Sequence, residues 1–266
     1  MGAVTAASDR RARLAAHTYS YRHLPLEDAL DRLAGLGFSA VELWRGHAVD
    51  GPERGARSLA AAHMRAVAVS AGGFYDEDTA QARRSFELAH AVGAETVVAC
   101  VAPRALRSLV PLVPGDLTLC VENHWDQPVR RHGDVVSLIA RMPTARVAAC
   151  LDTGHAILAG VRPERFAAVV ASSLGHIHLK DARRPPVHQR ALGVRLRRRL
   201  CSRPAPVGAG TGDLDVPRFL DVLDRIDYRA WITVEDEGST DVASSLLALA
   251  SAVVTTPDRT AAELHT

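Results

Sequence analysis

Residues 26–44 read LEDALDRLAGLGFSAVELW. The first part, 26–37, places apolar side chains at 26, 29, 30, 33 and 36, the 3.6-residue period of an amphipathic helix, and ends on a glycine stop. The second part, SAVELW at 39–44, is a short strand-like run. Working outward, the same alternation continues along the chain. Strands are expected at 13–20, 64–73, 96–101, 117–123, 146–152, 175–181 and 230–236, with helices at 78–93, 132–141, 162–172, 215–226 and 240–254 and a short helix in 104–112. Strands separated by helices pair in parallel through crossovers. Eight such units in about 250 residues predict an α/β fold, a single (β/α)8 barrel. The rival is an open doubly wound sheet, which carries a glycine-rich loop after its first strand. Here that position reads SYRHLP. The barrel is expected to occupy 13–254, between loose tails at 1–12 and 255–266.

Composition narrows the class. A hydrophobic content of 47% and a charged content of 23% are those of an ordinary globular chain, and a net charge of +2 argues against a nucleic-acid partner. No apolar run approaches the ~20 residues of a membrane span, and residues 1–13 lack the apolar core of a signal peptide. Cys100, Cys120, Cys150 and Cys201 show no CxxC spacing, and three of them sit in apolar runs as buried thiols. A cytoplasmic location is expected.

In a barrel of this kind the chemistry sits at the C-terminal ends of the strands. Side chains two apart share a face. Glu122 goes with Thr118 and Cys120, Asp152 with Ala148 and Cys150, His178 with His176 and Lys180, and Glu235 with Trp231 and Thr233. The opposite faces carry Leu119 and Val121, Val147 and Leu151, Ile177 and Leu179, and Ile232 and Val234. The aliphatic faces suit packing against outer helices. Glu122, Asp152, His178 and Glu235 then converge at the mouth, where three carboxylates repel unless a cation balances them. Such a donor set suits one divalent metal ion, Mn²⁺ foremost, with Mg²⁺, Co²⁺ or Zn²⁺ as alternatives. Taken singly, a strand-end acid is most often a helix N-cap or a solvated loop residue, and it is the joint placement that points to a shared ion.

Several stretches also resemble the xylose isomerase-like TIM-barrel superfamily, the sugar phosphate isomerase/epimerase group. They are GFSAVELW (37–44), VENH (121–124), LDTGH (151–155), HIHLKD (176–181) and the PVGAGTGDLD…YRAWITVE run (206–235). The resemblance implies one divalent metal held by Glu122, Asp152, His178 and Glu235, with Glu122 and Glu235 also exchanging the substrate proton. It places His155 and Arg184 beside substrate oxygens. Glu237 shares the parity of Glu235 and is the competing assignment. The implied function is a metal-dependent isomerase or epimerase acting on a sugar, sugar phosphate or cyclitol through a metal-stabilised enediolate. An inosose dehydratase-like lyase uses the same ligands. An endonuclease IV-like phosphodiesterase needs further histidines that strands 3 and 4 do not supply, and a partner-binding barrel without catalysis is the third alternative.

Lys180 is the only lysine in the chain; the other 31 of the 32 basic residues are arginines. It follows His178 by two, so it shares the inner face and is expected to donate to a substrate oxygen or a metal-bound carboxylate, or else to pair with Asp181 or another nearby acid. Residues 182–203 hold eight arginines and no acid. They would overhang the mouth and favour an anionic polyhydroxy substrate, or lie in solvent or against a second subunit of a homo-oligomer. His17 and His47 read as mouth residues or as ordinary histidines.

Overall fold

A computed structural model describes residues 10–76, 79–141, 146–184 and 207–256. Eight parallel strands close into a barrel in sequence order. They are β1 (Leu14–His17), β2 (Ala40–Trp44), β3 (Arg65–Phe74), β4 (Thr96–Val101), β5 (Thr118–Glu122), β6 (Val147–Asp152), β7 (Leu174–Leu179) and β8 (Ile232–Val234). Pairing of Leu14 with Ile232 and Ala16 with Val234 closes the ring. The single (β/α)8 barrel expected from the alternation is therefore the fold.

The outer layer comprises α1 (Leu26–Gly35), α2 (Pro52–Ala61), α3 (Ala80–Val92), α4 (Pro103–Leu109), α5 (His132–Ala140), α6 (Thr153–Leu158), α7 (Pro163–Val170), α8 (Val216–Arg225) and α9 (Val242–Thr255). In α1 the expected stripe is what packs: Leu26, Ala29, Leu30 and Leu33 are buried. Each leucine moved from water into such a layer contributes about 1.5–3 kcal/mol. The α2 helix has no counterpart in the sequence reading. Its sequence PERGARSLAA buries only Gly55, Ser58 and Leu59, a stripe too thin to show a period. Strand β1 is shorter than the expected 13–20. After His17 the chain turns into a 3₁₀ segment, Thr18–Tyr21, and Thr18 Oγ1 accepts the Trp44 N–H at 2.9 Å.

The two faces of the strands separate as alternation requires. Val41, Leu43, Leu119, Val121, Leu151, Ile177, Leu179, Ile232 and Val234 join the large core under the helices. Ala15, Ala40, Val67, Ala68, Val98, Cys120 and Cys150 form a second cluster inside the barrel. These small side chains fill the lower interior and leave the upper interior to polar groups. Cys100, Cys120 and Cys150 are buried free thiols; Cys201 lies outside the described residues. At the expected barrel boundaries Arg10 is buried and donates to Thr256 O at 2.9 Å. Most of the arginine-rich stretch 182–203 also lies outside the described residues. No helix among the described residues is long and apolar enough to cross a membrane.

Candidate active site

Strand register sets the height of each polar residue. Glu122 pairs with Cys150, Asp152 with His178, His178 with Thr233, and His17 with Glu42. Glu235 follows the last residue of β8, and its N–H still donates to Leu179 O at 3.1 Å. These rungs bring the four expected ligands together. His178 Nδ1 lies 2.9 Å from Glu122 Oε1, 3.7 Å from Asp152 Oδ2 and 3.8 Å from Glu235 Oε2.

Each carboxylate is held from behind. Asp152 Oδ1 accepts the His155 N–H at 2.7 Å and caps α6, which turns Oδ2 toward the centre. Cys100 Sγ donates to Glu122 Oε2 at 3.2 Å. Glu235 Oε1 sits 3.1 Å from His17 Nδ1. Glu237, the competing acid, lies farther out on the cavity wall, and Lys180 Nζ donates to its Oε1 at 2.6 Å.

Lys180 is on the inner face and 1% exposed. Its ammonium lies 2.9 Å from Asp152 Oδ2 and 3.4 Å from Glu235 Oε2, and 3.3 Å from His155 Nε2. Asp181 is not its partner. That carboxylate instead accepts N–H groups of Ala182, Gly210, Gly212 and Leu214, folding the glycine-rich segment around itself. A Cβ at Gly212 would stand 2.2 Å from Asp181 Oδ1, so only glycine permits that wrap. Gly154 serves Lys180 in the same way: a Cβ there would meet the Lys180 Cγ at 2.6 Å. The glycine of LDTGH makes room for the lysine of HIHLKD.

Burial pushes the Lys180 amine down, but Asp152, Glu235 and Glu237 outweigh it and hold the group well above the ordinary lysine range. Burial likewise opposes charge on His178, yet the surrounding Cys150, Glu42, Asp152 and Glu122 raise it well above the ordinary imidazole value. Burial pushes Glu235 up, and Lys180 and His17 reverse that and hold it well below the usual carboxylate range. Glu237 goes the other way, to about 7, through burial and the charge of Glu235, with Lys180 opposing. Burial and the nearby Lys180 lower His155 well below the usual histidine value.

The cluster lies at the floor of a cavity of about 340 Å³ at the C-terminal end of the barrel. Its lining includes the aromatic Tyr19, Trp44 and Tyr75, the imidazoles of His124 and His155, and the acids Glu122, Glu235 and Glu237. Asp152 and Lys180 are just behind the lining, at 0% and 1% exposure. Arg184 does not join this group: among the described residues it is absent from the lining, and its N–H bonds to Asp213. His47 also stays outside, with Nε2 3.1 Å from Leu24 O, whereas His17 is inside.

Two groups of donor atoms among the described residues are close enough to share an ion: Glu122, Asp152 and His178, and Glu42, His176 and His178. The first suits a divalent ion by its donor set, hard carboxylate oxygens and one imidazole, while Asp152 Oδ2 also pairs with the Lys180 ammonium at 2.9 Å. Glu42 was not singled out in the sequence. The signal existed, since Glu42 alternates with Val41 and Leu43 inside AVELW. His124 and the three aromatic residues of the lining were also missed as site residues.

A closed parallel barrel with an acid and imidazole cluster at its C-terminal mouth defines a class of enzyme-bearing fold. The chain belongs to the xylose isomerase-like TIM barrel family, whose model matches residues 30–253. No curated protein matches the chain significantly in sequence. Among solved structures, the chain is similar to L-ribulose 3-epimerase, with a TM-score of 0.67 and 15% identity, over 89% of this chain and 91% of that one. The probable 3-DHS dehydratase AsbF of Bacillus anthracis gives 0.66 and 15%, over 91% and 99%. The 3-keto-D-glucoside 4-epimerase YcjR of E. coli gives 0.65 and 15%, over 91% and 99%. At these identities the likeness concerns the fold.

Proposed function

We propose that this protein is an isomerase or epimerase that moves a proton next to a carbonyl in a sugar, sugar phosphate or cyclitol, with a divalent ion, Mn²⁺ foremost, held by Glu122, Asp152, His178 and Glu235. The observation that carries the reading is the approach of three carboxylates to one nitrogen of His178 at the floor of a small-molecule cavity. When bound, such an ion supplies electrophilic stabilisation of negative charge developing on a substrate oxygen.

The protein's own groups do the rest. Glu122 and Glu235 reach the cavity from β5 and from the end of β8. One, as carboxylate, takes the carbon-bound proton, and the other, as acid, returns a proton. Return to the opposite face of the same carbon inverts it; return to the neighbouring carbon, with the hydroxyl proton passing to the former carbonyl oxygen, isomerises. His155 lines the cavity and orients substrate oxygens, while Lys180 behind it holds Asp152, Glu235 and Glu237 in place. Tyr19, Trp44 and Tyr75 give the apolar edges of a sugar ring a surface and exclude water.

Elimination of water is the second reading, and one observation favours it. Glu237, at about 7 and hydrogen-bonded to Lys180, can deliver a proton to a departing hydroxyl. Incubation with Mn²⁺ and a panel of ketoses, inososes and their phosphates in D₂O tests both. Deuterium at carbon in recovered substrate or its epimer supports the first reading. Loss of water from the product supports the second. Exchange that survives intact in Glu122→Gln and Glu235→Gln overturns the assignment of the acids.

A further inference from the structure

Glu42 is completely buried on β2, below the cavity floor, and takes no part in lining it. A carboxylate in such a place is costly unless donors surround it. Its donors come from across the barrel, 134 and 136 residues away in sequence. Glu42 Oε2 is 2.8 Å from His176 Nε2 and 2.9 Å from His178 Nε2, and Oε1 is 3.0 Å from His178 Nε2. His17 Nε2 approaches Oε1 at 3.7 Å from a third side. His176 is in turn 3.0 Å from Thr233 Oγ1. The two nitrogens of His178 therefore face two different carboxylate neighbourhoods: Nε2 faces Glu42, and Nδ1 faces Glu122.

An ionised carboxylate can only accept. Against Glu42, His178 must present Nε2 as a donor. Nδ1 is then the atom that turns its lone pair to the cavity floor whenever the ring carries a single proton. We propose that Glu42 is a positioning residue that fixes the tautomer and ring plane of His178 for binding a divalent ion, with His176 and Thr233 anchoring Glu42. The proposal rests on the ion site described above. It assigns the deeper Glu42–His176–His178 group a supporting role, not a second ion. Three features favour that choice: neither Glu42 nor His176 lines the cavity, short contacts already pair both Glu42 oxygens, and Thr233 shares the His176 nitrogen.

Calorimetric titration of the wild type with Mn²⁺ should give one ion per chain. Glu42→Gln, which keeps shape and removes charge, should weaken Kd by about 10–100-fold, the usual effect of losing such a partner. Its circular dichroism should stay that of the wild type. With Co²⁺ as probe, the visible d–d bands should shift in the variant, a signature that a purely structural role would not give. Should Glu42→Gln not fold, Glu42→Asp carries the test, because it keeps the charge but withdraws it from Nε2 by one methylene. Weakened Kd there supports the proposal. An unchanged Kd and Co²⁺ spectrum in a folded variant overturns it, as do two ions per wild-type chain with one lost on substitution. A wild type that takes up no ion overturns the ion site itself, a different result from an ion bound equally well with and without Glu42.

Discussion

The interior of the barrel has two storeys built by the same alternation and filled with opposite chemistry. The lower storey holds Ala15, Ala40, Ala68, Cys120 and Cys150, and Arg65 stacks on Trp231 at 5.1 Å at the N-terminal end. It is small, apolar and self-sufficient. The upper storey holds Glu42, Asp152, His178, Lys180 and Glu235, each no more than 3% exposed. Charges so deep are retained at a cost to stability. The contrast separates residues that close the barrel from residues kept for chemistry, and substitutions in the two storeys should fail in different ways.

The largest effect is expected from Glu235→Gln, which keeps the shape of a proposed proton carrier and removes its basicity. Turnover should fall by about 10²–10⁴-fold, measured by initial rates on whichever substrate the deuterium panel selects. Next is Lys180→Met, which leaves Asp152, Glu235 and Glu237 facing one another without their cation. Breaking a buried pair from one side costs about 3–5 kcal/mol, which urea unfolding would read directly. Lys180→Arg keeps the charge. Because the lysine stem lies where even a Cβ on Gly154 would collide, the larger guanidinium should displace its neighbours and reduce turnover about tenfold while ion binding persists. An unchanged rate would remove Lys180 from the chemistry.

The upper storey should also carry the pH dependence. Burial pushes Glu42 up, but His178, His176 and His17 hold it well below the usual carboxylate range. A lowered carboxylate contributes stability that is present above its unfolded value, near pH 4.3, and is lost as pH falls through the lowered one. Stability of Glu42→Gln measured against pH should therefore fall less steeply on the acid side than that of the wild type. His178 has the opposite sign: raised, it contributes below about pH 6.5, and that contribution is lost as pH rises through its raised value. The smallest effect is expected in the lower storey, where Cys120→Ala should cost about 1 kcal/mol and leave Mn²⁺ affinity untouched.

The same contrast explains what could be read from the chain without its structure. Alternation in β5 to β8 separated Val121 from Glu122 and Leu179 from His178, because each strand offers a clean aliphatic face for the helices. It failed where local pattern is short or tertiary contact decides. The α2 helix buries too few apolar groups to reveal its period. The end of expected strand 1 becomes a 3₁₀ turn because Thr18 bonds across to Trp44. Glu42 reads as the single polar residue of an apolar run, and only its contacts with β7 across the barrel give it meaning. His17 and His47 looked alike in sequence, yet one faces the carboxylates and the other packs on Trp44. Arg184 came from the family resemblance alone, and its backbone N–H meets Asp213 in a loop whose side chains no strand pattern fixes.

The most direct measurement is anomalous diffraction from crystals soaked in Mn²⁺. One peak enclosed by Glu122, Asp152, His178 and Glu235, lost in Asp152→Asn, is the predicted result. No peak there, or a peak among Glu42, His176 and His178 instead, would contradict it.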